Sequence, residues 1–262
     1  MLLTYGITWA FWIPAALLGQ NVMRFPTLLL HTLGGFGPSL AGILMIYRTR
    51  DPAGRRDFWR RVVNFRQIGI EWLVLILVIF PMLALVSIAI SRLAGGPPHL
   101  YTNLARLTSQ PLTIIFLLPA GLISGPIPEE LGWRGFALDR LQARMRPLAA
   151  SVALGLSWSL WHLPLFWISG TTQAGLGSNT LDFWLFVLNP IALSALFAWV
   201  YNQTDGSILS AILMHLGFNV TASLLYPLSP QAGLIHAALL LISMAFTLKV
   251  RKAETVELPH RL

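Results

Sequence analysis

The sequence predicts an all-α, polytopic membrane protein, a bundle of about eight transmembrane helices, and three observations carry that prediction. Of its 262 residues 55% are hydrophobic and only 11% are charged, where a soluble domain carries about 25% charged residues. The mean hydropathy is +0.67. Apolar runs of about 20 residues, the length that crosses a hydrocarbon core, recur along the chain, and the basic residues gather in alternate connections between them. Cysteine is absent, which excludes disulfides, thiolate zinc sites and cysteine nucleophiles.

The expected spans lie near residues 2–22, 27–47, 70–92, 111–127, 148–168, 181–203, 207–226 and 232–249. The first has no basic residue before it and no small-residue cleavage signal after it, so it reads as a retained helix rather than a signal peptide. The second holds Gly34, Gly35, Gly37, Pro38, Ser39 and Gly42, small residues that let helix backbones approach closely in lipid. It predicts a packing seam. The connection that follows carries Arg48, Arg50, Arg55, Arg56, Arg60, Arg61 and Arg66, and the positive-inside rule places it in the cytoplasm. Alternation then puts Arg134, Arg140, Arg144, Arg146, Lys249, Arg251, Lys252 and Arg261 inside, and only Arg24, Arg92 and Arg106 outside. Both termini are therefore expected in the cytoplasm. This asymmetry also accounts for the net charge of +8 without a nucleic-acid partner. No internal repeat or linker divides the chain, so residues 1–262 read as one domain with a motif-bearing core at 111–226.

Chemistry concentrates at Pro128-Glu129-Glu130-Leu131-Gly132-Trp133-Arg134-Gly135. An ionisable side chain at the centre of a membrane helix costs about 2.5–3.5 kcal/mol on insertion scales, so three within six residues call for a purpose. Pro126 and Pro128 break the fourth span, and a new helix starting near Pro128 would set both glutamates beside free backbone N–H groups and the positive end of the helix dipole. On that helix Glu130 and Arg134 are four apart, the spacing of an ion pair, while Glu129 points about 100° away. One glutamate is thus neutralised and the other left free.

Counted from the turn at Arg146-Pro147, Glu129 lies seventeen residues back and His162 fifteen forward, both roughly 23–26 Å away along helices. In an antiparallel hairpin the carboxylate and the imidazole would reach one level. The seventh span brings His215 and Asn219, four apart on one face, to similar depth. His31 and His236 fit no such pattern and read as hydrogen-bond partners between helices.

Three motifs, Glu-Glu-x-x-x-Arg (Glu129, Glu130, Arg134), aromatic-x-x-x-His (Trp158, His162) and His-x-x-x-Asn (His215, Asn219), occur in order on separate hydrophobic spans. Together they resemble the CAAX prenyl protease type II and bacteriocin-processing family, called CPBP or Abi, of intramembrane endopeptidases. The resemblance implies a buried catalytic cavity open to the cytosolic leaflet, in which Glu129 and His162 activate water, His215 and Asn219 stabilise the oxyanion, and Glu130 with Arg134 forms a structural ion pair. Trp133, Trp158 and Trp161 would line the cavity. The second motif usually starts with phenylalanine, and the tryptophan at 158 reads as an aromatic wall on which no chemistry rests.

The resemblance implies a substrate that is a peptide or lipidated protein at the bilayer, cut near its C-terminus; a monomer is expected. The residues fit metal-independent glutamate chemistry and leave one divalent metal ion, zinc, open. The alternative is one catalytic zinc held by Glu129, His162 and His215, a two-histidine-plus-carboxylate set that leaves a position for water. Two other function classes compete with the protease: a proton-coupled transporter using the same groups as a relay, and a non-catalytic self-immunity protein that binds a peptide. The chain lacks the paired interrupted helices of an inverted-repeat transporter.

Overall fold

In hydrocarbon every backbone N–H and C=O must be bonded within its own segment, so uninterrupted apolar runs become helices. The computed structural model describes residues 1–253, where every regular element is helical. In chain order the helices are α1 (Leu2–Leu17), α2 (Thr27–Gly35), α3 (Gly37–Thr49), α4 (Pro52–Val63), α5 (Ile70–Leu93), α6 (Thr102–Ser109) and α7 (Ile114–Ile123). There follow α8 (Pro126–Gly132), a π-helical turn (Trp133–Ala137), α9 (Leu138–Gln142), α10 (Pro147–Trp161), α11 (Thr172–Leu176), α12 (Leu181–Gln203), α13 (Ile208–Leu225) and α14 (Pro230–Ala253).

Among the described residues seven helical runs are long and apolar enough to span a bilayer: Thr27–Thr49, Ile70–Leu93, Ile114–Gln142, Pro147–Trp167, Leu181–Gln203, Ile208–Leu225 and Pro230–Thr247. The first expected span forms α1, which is apolar but only 16 residues long, roughly 24 Å of helix. Seven long helices and one short one thus make up the polytopic bundle that the sequence predicts. The second span is interrupted at Phe36, where α2 hands over to α3. The fourth departs further from expectation, because it does not end at 127 but runs through α7, α8, the π turn and α9 as one crossing. Arg134 accordingly lies inside a span and is no marker of an aqueous loop. Of the C-terminal cations, Arg261 lies outside the described residues.

The predicted seam in the second span exists. A Cβ on Gly42 would stand 2.8 Å from Gly132 Cα and 2.9 Å from Leu131 O, so α3 and α8 touch backbone to backbone. Ser39 strengthens this crossing by donating its hydroxyl to Pro128 O at 2.6 Å. Between α10 and α12 the contact is equally close, since a Cβ on Gly155 would meet Ile191 Cα at 2.6 Å. His236 and Ser87 approach at 3.4 Å and join α14 to α5 as expected of a packing histidine. His31 behaves differently: its ring stacks on Trp12, with centroids 6.0 Å apart, and its main-chain carbonyl accepts the Trp12 indole N–H at 2.8 Å.

The arginine-rich connection after the second span is itself largely helical. Asp51 caps α4 by accepting from Gly54 N at 2.8 Å, and Pro52 fits the first helical position. Most of its arginines face outward, but Arg61 turns inward to Asp139 (3.0 Å), to the Gly206 carbonyl (2.6 Å) and to Tyr201. This one residue fastens α4 to α9 and to the α12–α13 connection.

The backbone contact of α3 with α8 yields a prediction. Gly42→Ala should lower stability by about 1–3 kcal/mol, the usual cost of overpacking, whereas Gly6→Ala in α1, where a Cβ meets nothing within 4 Å, should not. Thermal unfolding of the two detergent-solubilised variants beside the parent chain measures the difference.

Candidate active site

The sequence places two prolines where the Glu129-Glu130 stretch begins, and this decides the local backbone. The helix starts at Pro126 rather than Pro128, with Gly125 ahead of it. Glu129 N–H therefore already donates to Gly125 O at 2.9 Å, so the expected free N–H groups beside the glutamates are not there. Prolines at 126 and 128 have no N–H to offer, and only Ile127 carries a donor ahead of Glu129 in this first turn.

Glu130 and Arg134 form the predicted ion pair, with Nη1 donating to Oε2 at 2.8 Å and Oε1 at 3.0 Å, and both side chains are fully buried. The rest of the guanidinium lies between aromatic faces, 4.9 Å from the centre of Trp158 and 4.7 Å from that of Phe197. Nε and Nη2 have no hydrogen-bond acceptor, so these rings are what meets the remaining positive charge. Glu130 Oε1 also meets His215 Nδ1 at 2.9 Å. One carboxylate therefore orients both a guanidinium and an imidazole.

Glu129 makes no ion pair among the described residues, yet it is not free. Its Oε2 accepts the indole N–H of Trp158 at 2.5 Å, and the residue is 7% exposed. Its other oxygen faces Gly125 together with two polar groups of α13. The point at which a Cβ on Gly125 would stand is 3.3 Å from Asn219 Nδ2, 3.4 Å from Glu129 Oε1 and 3.5 Å from His215 Nε2. Three sequence-predicted residues thus converge on one spot from α8 and α13, and residue 125 leaves it open by having no side chain.

His162 is one step removed. Its Nδ1 lies 2.8 Å from Trp158 O, and because a carbonyl can only accept, Nδ1 carries the proton and Nε2 of the neutral ring keeps its lone pair. The ring packs against Trp161 (4.6 Å) and Phe186 (5.4 Å), and no hydrogen bond joins it to Glu129 among the described residues. The residue level with Glu129 is instead Trp158, one helical turn earlier. The physical reason is that residues 143–146 are not helical, so the depth count was too long by about 6 Å on the glutamate side.

Trp158 is therefore more than the wall that the sequence suggested, since its N–H holds the carboxylate. Trp161 donates to Thr8 at 2.8 Å and packs at a tilt against Trp12 at 4.6 Å, tying α10 to α1. Trp133 packs edge-on against Trp161 at 6.0 Å. Gly125 and Phe186 are the site residues that motif reasoning missed; Gly125 directly precedes the Pro126-Ile127-Pro128 break, which was the available signal. Among the described residues no three His, Asp or Glu side chains are grouped to hold a metal ion.

Fold and site together define an integral membrane protein that brings a carboxylate, an imidazole and an amide together beside Gly125 within its helices. Comparison with known proteins finds similarity to one family. The model of the family described as "Type II CAAX prenyl endopeptidase Rce1-like" matches residues 110–221, the part of the chain that carries the three motifs. The chain is also similar to the protein named CAAX prenyl protease 2 of Methanococcus maripaludis, at 26% identity over 253 residues that cover 95% of this chain and 92% of that protein.

Removing one partner of a buried pair leaves an uncompensated charge, at a cost of about 3–5 kcal/mol. Glu130→Gln should therefore shorten the folded lifetime in detergent strongly, while the double variant Glu130→Gln with Arg134→Met recovers much of it. Unfolding rates of the three proteins decide this.

Proposed function

We propose that this protein is an intramembrane endopeptidase that cleaves a peptide bond near the C-terminus of a lipidated or membrane-associated protein, as CAAX processing requires. The convergence of Glu129 Oε1, His215 Nε2 and Asn219 Nδ2 in front of Gly125 carries the reading. Amide hydrolysis needs a base for water and donors for the tetrahedral oxyanion, and the groups facing Gly125 offer a carboxylate oxygen, an amide N–H and an imidazole edge on one small volume. The matched family and the relative's name support the same activity.

In the proposed reaction water binds in front of Gly125 and gives a proton to Glu129 Oε1 as its oxygen attacks the scissile carbonyl carbon. Asn219 Nδ2–H and His215 Nε2–H donate to the oxyanion, and the proton on Glu129 passes to the leaving amine as the C–N bond breaks. Donation from Nε2 as well as from Nδ1, which meets the Glu130 carboxylate at 2.9 Å, requires a proton on each ring nitrogen of His215 during this step. His162, through Nε2, supplies a second acceptor beside the water. We further propose that the cavity opens to the cytosolic leaflet, that both termini are cytoplasmic, in keeping with the arginine-rich connections, and that the chain acts as a monomer. No step is assigned to a metal.

The test is cleavage of a quenched-fluorescent lipidated peptide by purified protein, with and without a strong zinc chelator. Glu129→Ala and Asn219→Ala should each lose activity by about 100-fold or more, and the parent enzyme should keep its rate under chelator. Activity lost to chelator and restored by zinc would instead make Glu129 a ligand or a metal-assisted base, and turnover by Glu129→Ala would end the glutamate mechanism.

A further inference from the structure

A carboxylate in an open pocket turns freely about its last torsion, which is broad and two-fold, and either oxygen can then face the substrate. Glu129 does not have that freedom. Its Oε2 is held by the Trp158 indole N–H at 2.5 Å, while Oε1 faces Gly125 together with Asn219 and His215. The indole is itself immobile. It is 4% exposed, its face lies 4.9 Å from the Arg134 guanidinium, and its rings meet His215 at 5.3 Å and Phe197 at 5.8 Å. Through its main-chain carbonyl the same residue accepts from His162 Nδ1 at 2.8 Å. One tryptophan thus touches the base, the second imidazole, the oxyanion histidine and the buried cation.

We propose that Trp158 is a positioning residue for the hydrolytic reaction: its indole N–H fixes one oxygen of Glu129, so that the other is presented to water in front of Gly125. The inference rests on the endopeptidase reading and deepens it. Indole nitrogen is a donor only, and its bond to an ionised carboxylate is charge-assisted and directional. A phenyl ring at position 158 would preserve the wall and the stacking on Arg134 but could not hold the carboxylate. Near-attack geometry is sensitive to such losses, a misplacement of about 1 Å being worth as much as about 100-fold in rate.

Two measurements on the full chain in detergent test this. Trp158→Phe should lower kcat by about 10- to 100-fold with KM changed less than about 3-fold, and incorporation at position 158 of the benzothienyl isostere of tryptophan, which keeps the shape but lacks the N–H, should do the same. In spectra of protein labelled with 15N at its indole nitrogens, the resonance that vanishes in Trp158→Phe should stand downfield in the parent and move upfield in Glu129→Ala. Wild-type kcat in both position-158 variants, or a Trp158 indole resonance indifferent to Glu129→Ala, would overturn the proposal. The resonance reads the contact without requiring turnover, so it separates failure of the positioning role from failure of the endopeptidase reading, which an active Glu129→Ala protein would reveal.

Discussion

The buried ion pair of Glu130 with Arg134 is the constraint on which the rest of the site depends. Two full charges with no exposure to solvent persist in an apolar bundle only when they neutralise each other and their remaining surfaces find partners. Here the second carboxylate oxygen is satisfied by His215 and the guanidinium faces by Trp158 and Phe197. Satisfying the pair therefore draws α10, α12 and α13 around α8. The same contacts hold His215 Nε2 and the Trp158 indole beside Glu129, so that a need for electrostatic compensation also gathers the groups of the proposed site.

That arrangement also explains why the glycines crowd one corner of the fold. Close backbone contact of Gly42 with Gly132, and the Ser39 hydroxyl on the Pro128 carbonyl, hold the start of α8 against α3, where lipid offers no hydrophobic drive for helix association. The π-helical turn at Trp133–Ala137 then adds a residue to the helix immediately after the reactive stretch. Irregular helix of this kind is tolerated where surrounding side chains determine it. Gly125 completes the corner by leaving a space in which three polar atoms meet.

Much of this was legible in the sequence, for physical reasons that can be named. The i, i+4 spacing of Glu130 and Arg134 follows from helix geometry alone, and the apolar runs and arginine clusters delimit the spans because membranes leave few alternatives. The motif residues Glu129, His215 and Asn219 were visible as polar groups in apolar helices. What was not legible depended on tertiary context. Local propensity cannot tell whether a helix entering Pro126-Ile127-Pro128 starts at the first proline or the second, and the difference fills the Glu129 N–H. The non-helical residues 143–146 shift the hairpin by about one turn, which puts Trp158 rather than His162 opposite Glu129. Read as an isolated letter, a tryptophan in place of phenylalanine looks like a change of bulk; only the structure gives its N–H an acceptor.

The central claim is that water, delivered by Glu129, attacks the peptide carbonyl directly. A single turnover in water enriched in oxygen-18, with enzyme in excess over a lipidated peptide, tests it most closely. Direct attack places one heavy oxygen in the new C-terminal carboxylate of the product and none in the enzyme. Heavy oxygen in the peptide fragment that contains Glu129, with unlabelled product from the first turnover, would mean that the carboxylate itself had attacked and formed an anhydride, and would contradict the account.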